Sequence, residues 1–144
     1  MRLPQAPVRY DPRDQQETRT TVEREVAQMK TLFPAQPIPH ASLGDSGAAI
    51  TAPWSAARPV LHVTLTANAT ITISALVPGA TLRLHVLTGT GSHTATFALA
   101  SGLGSLRWFG GSAPTVTATA SKIDVFEFTF DGVDTVAKVV GQAA

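Results

Sequence analysis

Hydrophobic positions along the chain follow two different periods. In the amino-terminal part Val22, Val26, Met29 and Phe33 recur at spacings of four, three and four, which places them on one stripe of a helix. Asp11-Pro12-Arg13-Asp14 supplies a start, with Asp11 as N-cap, Pro12 at the first helical position, and Asp14 and Glu17 at the positive end of the dipole. Pro34 sets the stop near Leu32 or Phe33. The stripe is as narrow as a heptad seam, so the helix predicts either partner helices or a return onto its own domain. Gln15 and Arg19 occupy the upstream seam positions, which leaves about two heptads to pack.

From residue 60 the period becomes two. Leu61, Val63 and Leu65 alternate with His62, Thr64 and Thr66, and Ala69, Ile71 and Ile73 with Thr70, Thr72 and Ser74, a strand-turn-strand pattern about Asn68. The same alternation predicts strands over Leu82–Val86 and Ala95–Leu99, separated by Gly89-Thr90-Gly91-Ser92. Further strands are expected at Leu106–Phe109, Thr115–Thr119, Ile123–Phe130 and Thr135–Val140, the last two joined by a tight turn at Asp131-Gly132. About eight short strands with frequent turns predict a mainly β chain built as an antiparallel β-sandwich, jelly-roll-like or Greek-key, over residues 57–144. Residues 1–33 form an arm and helix. Residues 34–56, rich in Pro, Ala and Ser, read as a linker with at most one strand at Ala48–Ala52.

Charge sharpens this division. Of 144 residues only 15% are charged, and Lys+Arg 11 against Asp+Glu 10 give a net charge of +1. That balance provides no field for nucleic acid or an anionic membrane. Most of the charge lies before residue 31, so the outward strand positions carry Thr and Ser where Lys and Glu are usual. Such faces can be buried against copies of the same chain. Ile123 and Val125 face away from Phe126, Phe128 and Phe130, an apolar pattern on both sides of one strand that fits a subunit contact or an internal strand. The chain has no Cys, which removes disulfides and thiolate chemistry. It also lacks the pattern of a secretory leader or a membrane span.

Arg107-Trp108-Phe109-Gly110-Gly111-Ser112-Ala113-Pro114-Thr115, followed by Lys122-Ile123-Asp124-Val125-Phe126-Glu127-Phe128-Thr129-Phe130-Asp131-Gly132, resembles the β-rich domain of tailed-bacteriophage virion proteins: tail fibres, spikes, head fibres and decoration proteins. Asn68-Ala69-Thr70-Ile71 and Pro78-Gly79-Ala80-Thr81-Leu82 match that domain's usual opening, and Tyr10-Asp11-Pro12 looks like the docking segment of small phage fibre proteins. The sequence departs from the pattern at Val136-Ala137-Lys138, where an aromatic often follows Asp-Gly.

The resemblance implies a virion location, a homotrimer, and docking on capsid, neck or tail through Tyr10, Val22, Val26, Met29 and Phe33. Its core and turn landmarks would be Trp108, Gly110, Gly111, Pro114, Asp124, Phe128, Asp131 and Gly132. In physical terms Gly110 and Gly111 permit positive φ, Pro114 stiffens the exit, and Trp108 with Phe109 fills the core beneath the turn.

The pattern holds little chemistry. The β region's acids are Asp45, Asp124, Glu127, Asp131 and Asp134, three of them in or beside the last hairpin, where turn formation accounts for them. Gly102-Leu103-Gly104-Ser105 reads as a flexible turn, with neither the nucleophile elbow nor the phosphate-loop context. His62, His85 and His93 read as surface or interface residues, with three copies of one His about a threefold axis as the metal-binding alternative. Asn68 reads as a turn residue. The expectation is therefore a non-enzymatic structural protein without cofactor or metal, binding neither nucleic acid nor membrane. The rival reading is a module for a host surface glycan, which needs exposed aromatics over a groove and has Tyr10, Trp54, Trp108 and the Phe residues to draw on.

Overall fold

The computed structural model describes residues 12–32 and 39–143. The chain divides into two units, Met1–Pro37 and Ile38–Ala144.

In the first, α1 spans Pro12–Leu32, about 31 Å of helix. Thr20 and Thr21 return their hydroxyls to the carbonyls of Gln16 and Glu17, at 2.8 and 2.9 Å, the internal bond that lets threonine sit within a helix. The described side chains of α1 are exposed, Val22 at 52%. Tyr10, Phe33 and the proline spacer 34–38 lie outside the described residues, as do the side chains of Val26 and Met29.

The second unit is β. Its strands are β1 (His40–Asp45), β2 (Ala49–Pro53), β3 (Val60–Leu65), β4 (Ala69–Ser74), β5 (Thr81–Thr88), β6 (Ala95–Leu99), β7 (Leu106–Trp108), β8 (Ile123–Phe130) and β9 (Thr135–Gly141). They form a six-stranded sheet ordered β1-β3-β5-β8-β9-β7 and a three-stranded sheet ordered β2-β4-β6. The expectation of an antiparallel sandwich is corrected here. β1, β3 and β5 run parallel, as do β2, β4 and β6, and only β5-β8 and β8-β9 are antiparallel.

Successive strands alternate between the sheets, so β1-β2, β3-β4 and β5-β6 are three stacked rungs, offset along the chain by roughly 20–26 residues. The turn at Asn68 therefore carries the chain from one sheet to the other and makes no hairpin. Its corner is pinned to the neighbouring rungs. Asn68 Oδ1 accepts the Thr94 N–H at 3.0 Å, and the buried Ser46 donates its N–H to the Thr64 carbonyl at 2.8 Å.

Two other boundaries move. Residues 40–53, read as linker, are the first rung, in register with β3 and β4, so the β unit begins well before residue 57. The polar, Gly-containing sequence of β1 hid it; Gly44 sits at φ 76 where the register shifts past Ser42. Conversely, Thr115–Thr119 forms no strand. Its bonds go to side chains and strand ends: the Thr117 carbonyl accepts the Thr88 hydroxyl at 2.6 Å, and the Thr115 carbonyl accepts Gln142 Nε2.

The core lies between the sheets. Leu61, Val63, Leu65, Ile71, Ile73, Leu82, Leu84 and Val86 are buried, each on the inward parity of its strand. Phe126, Phe128 and Phe130 extend it along β8, and Leu103 and Val116 join it from loops. Phe97 of the small sheet meets Trp108, Phe126 and Phe128 of the large one, with ring centroids 5.5, 4.8 and 5.4 Å away in tilted geometry.

Candidate functional site

The landmark residues fall into three separate places. Trp108 and Phe128 belong to the aromatic cluster that joins the sheets, 5.7 Å apart edge to face. Past Trp108 the chain turns through Gly110 (φ 90) and Gly111 (φ 86), with the Gly111 N–H on the Trp108 carbonyl at 3.0 Å, and Pro114 is half-buried on the exit. Phe109 does not fill the core as expected. It is 73% exposed, because the turn that buries Trp108 swings the next side chain outward.

Asp124 stands at the start of β8 on its inward face, 1% exposed. Its carboxylate accepts the N–H and hydroxyl of Thr117 and the N–H of Ala143, so one side chain ties the 115–117 segment to the end of the described chain. Asp131 and Gly132 lie past the other end of β8, about 23 Å of strand away. The Asp131-Gly132 turn is a four-residue loop, since Phe130 pairs with Thr135. Asp131 Oδ1 accepts the N–H groups of Asp134 and Val133, and these bonds hold its carboxyl below the usual range. Asp134 is likewise lowered, by the Ser105 N–H and the Arg107 guanidinium. Asp131 and Asp134 are thus turn residues, and the length of β8 keeps Asp124 from joining them.

The outward faces are organised as rows, because in-register strands place equivalent residues side by side. On the small sheet Thr70 lies between Ala49 and Thr96, Thr72 between Thr51 and Ala98, and Ser74 beside Pro53. The Thr70 and Thr96 hydroxyls are 3.3 Å apart. This face is small, flat and uncharged. On the large sheet one row runs His40, Val60, Arg83, Glu127, Lys138, with Arg83 and Lys138 on Glu127 at 3.0 and 2.8 Å. The next runs Ser42, His62, His85, Val125, and a third Asp45, Thr64, Leu87, Ile123. Ile123 (44% exposed) and half-buried Val125 therefore share the solvent side with Glu127 and Thr129, while the Phe side of β8 is internal.

Trp54 is not a free platform. It is half-buried and its Nε1 donates to the Thr81 carbonyl at 3.1 Å. Among the described residues no three His, Asp or Glu side chains group so as to hold a metal ion, and no helix is long and apolar enough to cross a membrane. No family model, curated protein or solved structure matches the chain.

Sequence reasoning saw Thr70, Thr72, Thr96, His62 and His85 as outward residues but not as neighbours. The only available signal was the recurrence of Thr or His at the same position of successive strands, which means adjacency only if the strands are parallel and in register.

Proposed function

We propose that the chain is a non-enzymatic structural component of a tailed-bacteriophage virion, a fibre, spike or decoration protein. In this reading it docks on capsid, neck or tail through its arm and helix, and presents a β unit that associates as a homotrimer. The observation that carries the proposal is the outward face of the small sheet, whose Thr, Ser, Ala and Pro rows carry no side-chain charge. A free domain keeps itself soluble with mixed charge on such a face; a surface of short, uncharged side chains suits burial against a copy of itself. The helix supports the same reading. Helices take most of their stability from packing an apolar face, and on this 21-residue helix Val22 of that face is 52% exposed, open to a partner. The fibre-domain landmarks Trp108, Gly110, Gly111 and Asp124 have shape-making places that fit a scaffold.

Light scattering on the purified chain tests the assembly half. A trimer is expected, weakened by Thr72→Lys at the middle of the small-sheet face or by Val22→Glu on the helix. A monomer at every concentration, or a trimer indifferent to both variants, overturns it. Immunogold labelling of phage particles from a lysate that expresses the chain tests the virion half, and absence of label from particles refutes it. A glycan-binding tip is favoured only by the exposed Phe109, and Phe109→Ala abolishing glycan-array binding would select that reading instead.

A further inference from the structure

We infer that His62 and His85 form a two-ligand binding site for a borderline divalent cation such as Cu²⁺, Ni²⁺ or Zn²⁺ on the outward face of the large sheet. His62 of β3 is the direct partner of His85 in the parallel β3-β5 ladder, so both imidazoles leave the same face from neighbouring strands. Adjacent strands stand about 4.8 Å apart. Two imidazole nitrogens on one tetrahedral ion, each ~2.0–2.1 Å from it, are ~3.3 Å apart. A slight lean of each ring toward the other closes that difference. Both residues are half-buried, which limits the rotamers they lose on chelation and leaves the open side to water.

The flanking row runs His40, Val60, Arg83, Glu127 and Lys138, with Arg83 and Lys138 both bonded to Glu127. On the other flank stand Asp45, Thr64, Leu87 and Ile123, and at the ends of the histidine row Ser42 and Val125. Among the described residues no third His, Asp or Glu groups with the pair to hold an ion, so the remaining coordination positions belong to water. The site is an open platform, selective for ions that prefer nitrogen over oxygen ligands. It is independent of the virion proposal, because a monomer holds both ligands.

Thermal unfolding of the full chain with CuCl₂, NiCl₂ or ZnCl₂ alone tests it. The unaltered protein is expected to gain thermal stability, most with Cu²⁺, by mass action on the folded state. His62→Asn and His85→Asn should each remove the gain, while His40→Asn and His93→Asn retain it. Circular dichroism checks that the variants are folded, and an EPR spectrum of the Cu²⁺ complex should show two coupled nitrogens that fall to one or none in either variant. A gain that survives both substitutions, or no gain and no nitrogen coupling in the unaltered protein, overturns the inference.

Discussion

Removing the Asp124 carboxylate should unfasten the end of the β unit. Asp124→Ala deletes the acceptor for the Thr117 N–H, the Thr117 hydroxyl and the Ala143 N–H. The hydroxyl keeps an alternative at the Ala143 carbonyl, 3.2 Å away, so the cost falls on the two backbone N–H groups. An unsatisfied buried donor costs about 1–3 kcal/mol, and both residues are half-buried, which puts the loss at about 2–4 kcal/mol. With a urea slope of about 2 kcal/mol/M, the unfolding midpoint should fall by about 1–2 M. Asp124→Asn keeps Oδ1 but turns an amide toward the Thr117 N–H, and should lose about half as much. Hydrogen exchange provides the local readout: Thr117 and Ala143 should lose protection while the amides of β3 and β4 change only with global stability. An unfolding free energy within about 0.5 kcal/mol of the unaltered protein's, or unchanged protection at both amides, refutes the assignment of Asp124 as the clasp.

Three further outcomes follow from the same geometry. Gly104→Ala should cost about 2–3 kcal/mol or more and lower Tm by about 5–10 °C, because a Cβ there meets the Val133 carbonyl oxygen and the backbone lies at φ 66. Gly102→Ala, at φ 88 with open space, should cost only about 1 kcal/mol, and equal losses by calorimetry would refute the steric account. Phe97→Ala should cost about 3 kcal/mol and shift Trp108 emission to the red, since the rings are 5.5 Å apart; unchanged emission would place Trp108 elsewhere. The Lys138 ammonium and Arg83 guanidinium hold the Glu127 carboxyl below its usual value, so its contribution is complete above about 4.5 and lost as pH falls through the lower folded value. Glu127→Gln should therefore flatten part of the acid limb of a stability-pH curve, and superimposable limbs would count against the Arg83-Glu127-Lys138 row.

Most strands were legible in the sequence because alternation reports which side of a strand is buried, whatever its partners. Leu61, Val63 and Leu65, or Ile71 and Ile73, are inward by the same parity in a hairpin and in a solenoid rung. Strand direction was not legible. Parallel sheets are usually covered on both faces and read as continuous apolar runs. Here the outer faces carry Thr, Ser and His, so parallel strands imitate the pattern of antiparallel ones. β1 was lost for a related reason, since an edge strand in the order His-Ala-Ser-Leu-Gly-Asp has little inward apolar surface to announce it. Gly102-Leu103-Gly104-Ser105 read as flexible, yet Leu103 is buried and its carbonyl accepts the Thr135 hydroxyl at 2.8 Å, a long-range contact invisible in four residues.

The same stacking explains why motif reading found landmarks of shape and little chemistry. In a rung architecture a residue acts together with its equivalents one rung away, and these lie roughly 20–26 positions apart with unrelated neighbours between them. His62 means little as a single histidine, and Thr72 little as a single threonine. In register, the first becomes half of a chelating pair and the second the centre of a flat, uncharged surface. Both depend on ladder geometry held by Phe97 against Phe126 and Phe128 in the core and by the corner bonds of Ser46 and Asn68. A one-residue slip of β3 against β5 would turn His62 inward beside Leu84 and Val86 and Val63 out to solvent, burying a polar ring. The buried core thus fixes the surface rows, and whatever the protein binds or assembles with reads a register that no local segment of the sequence contains.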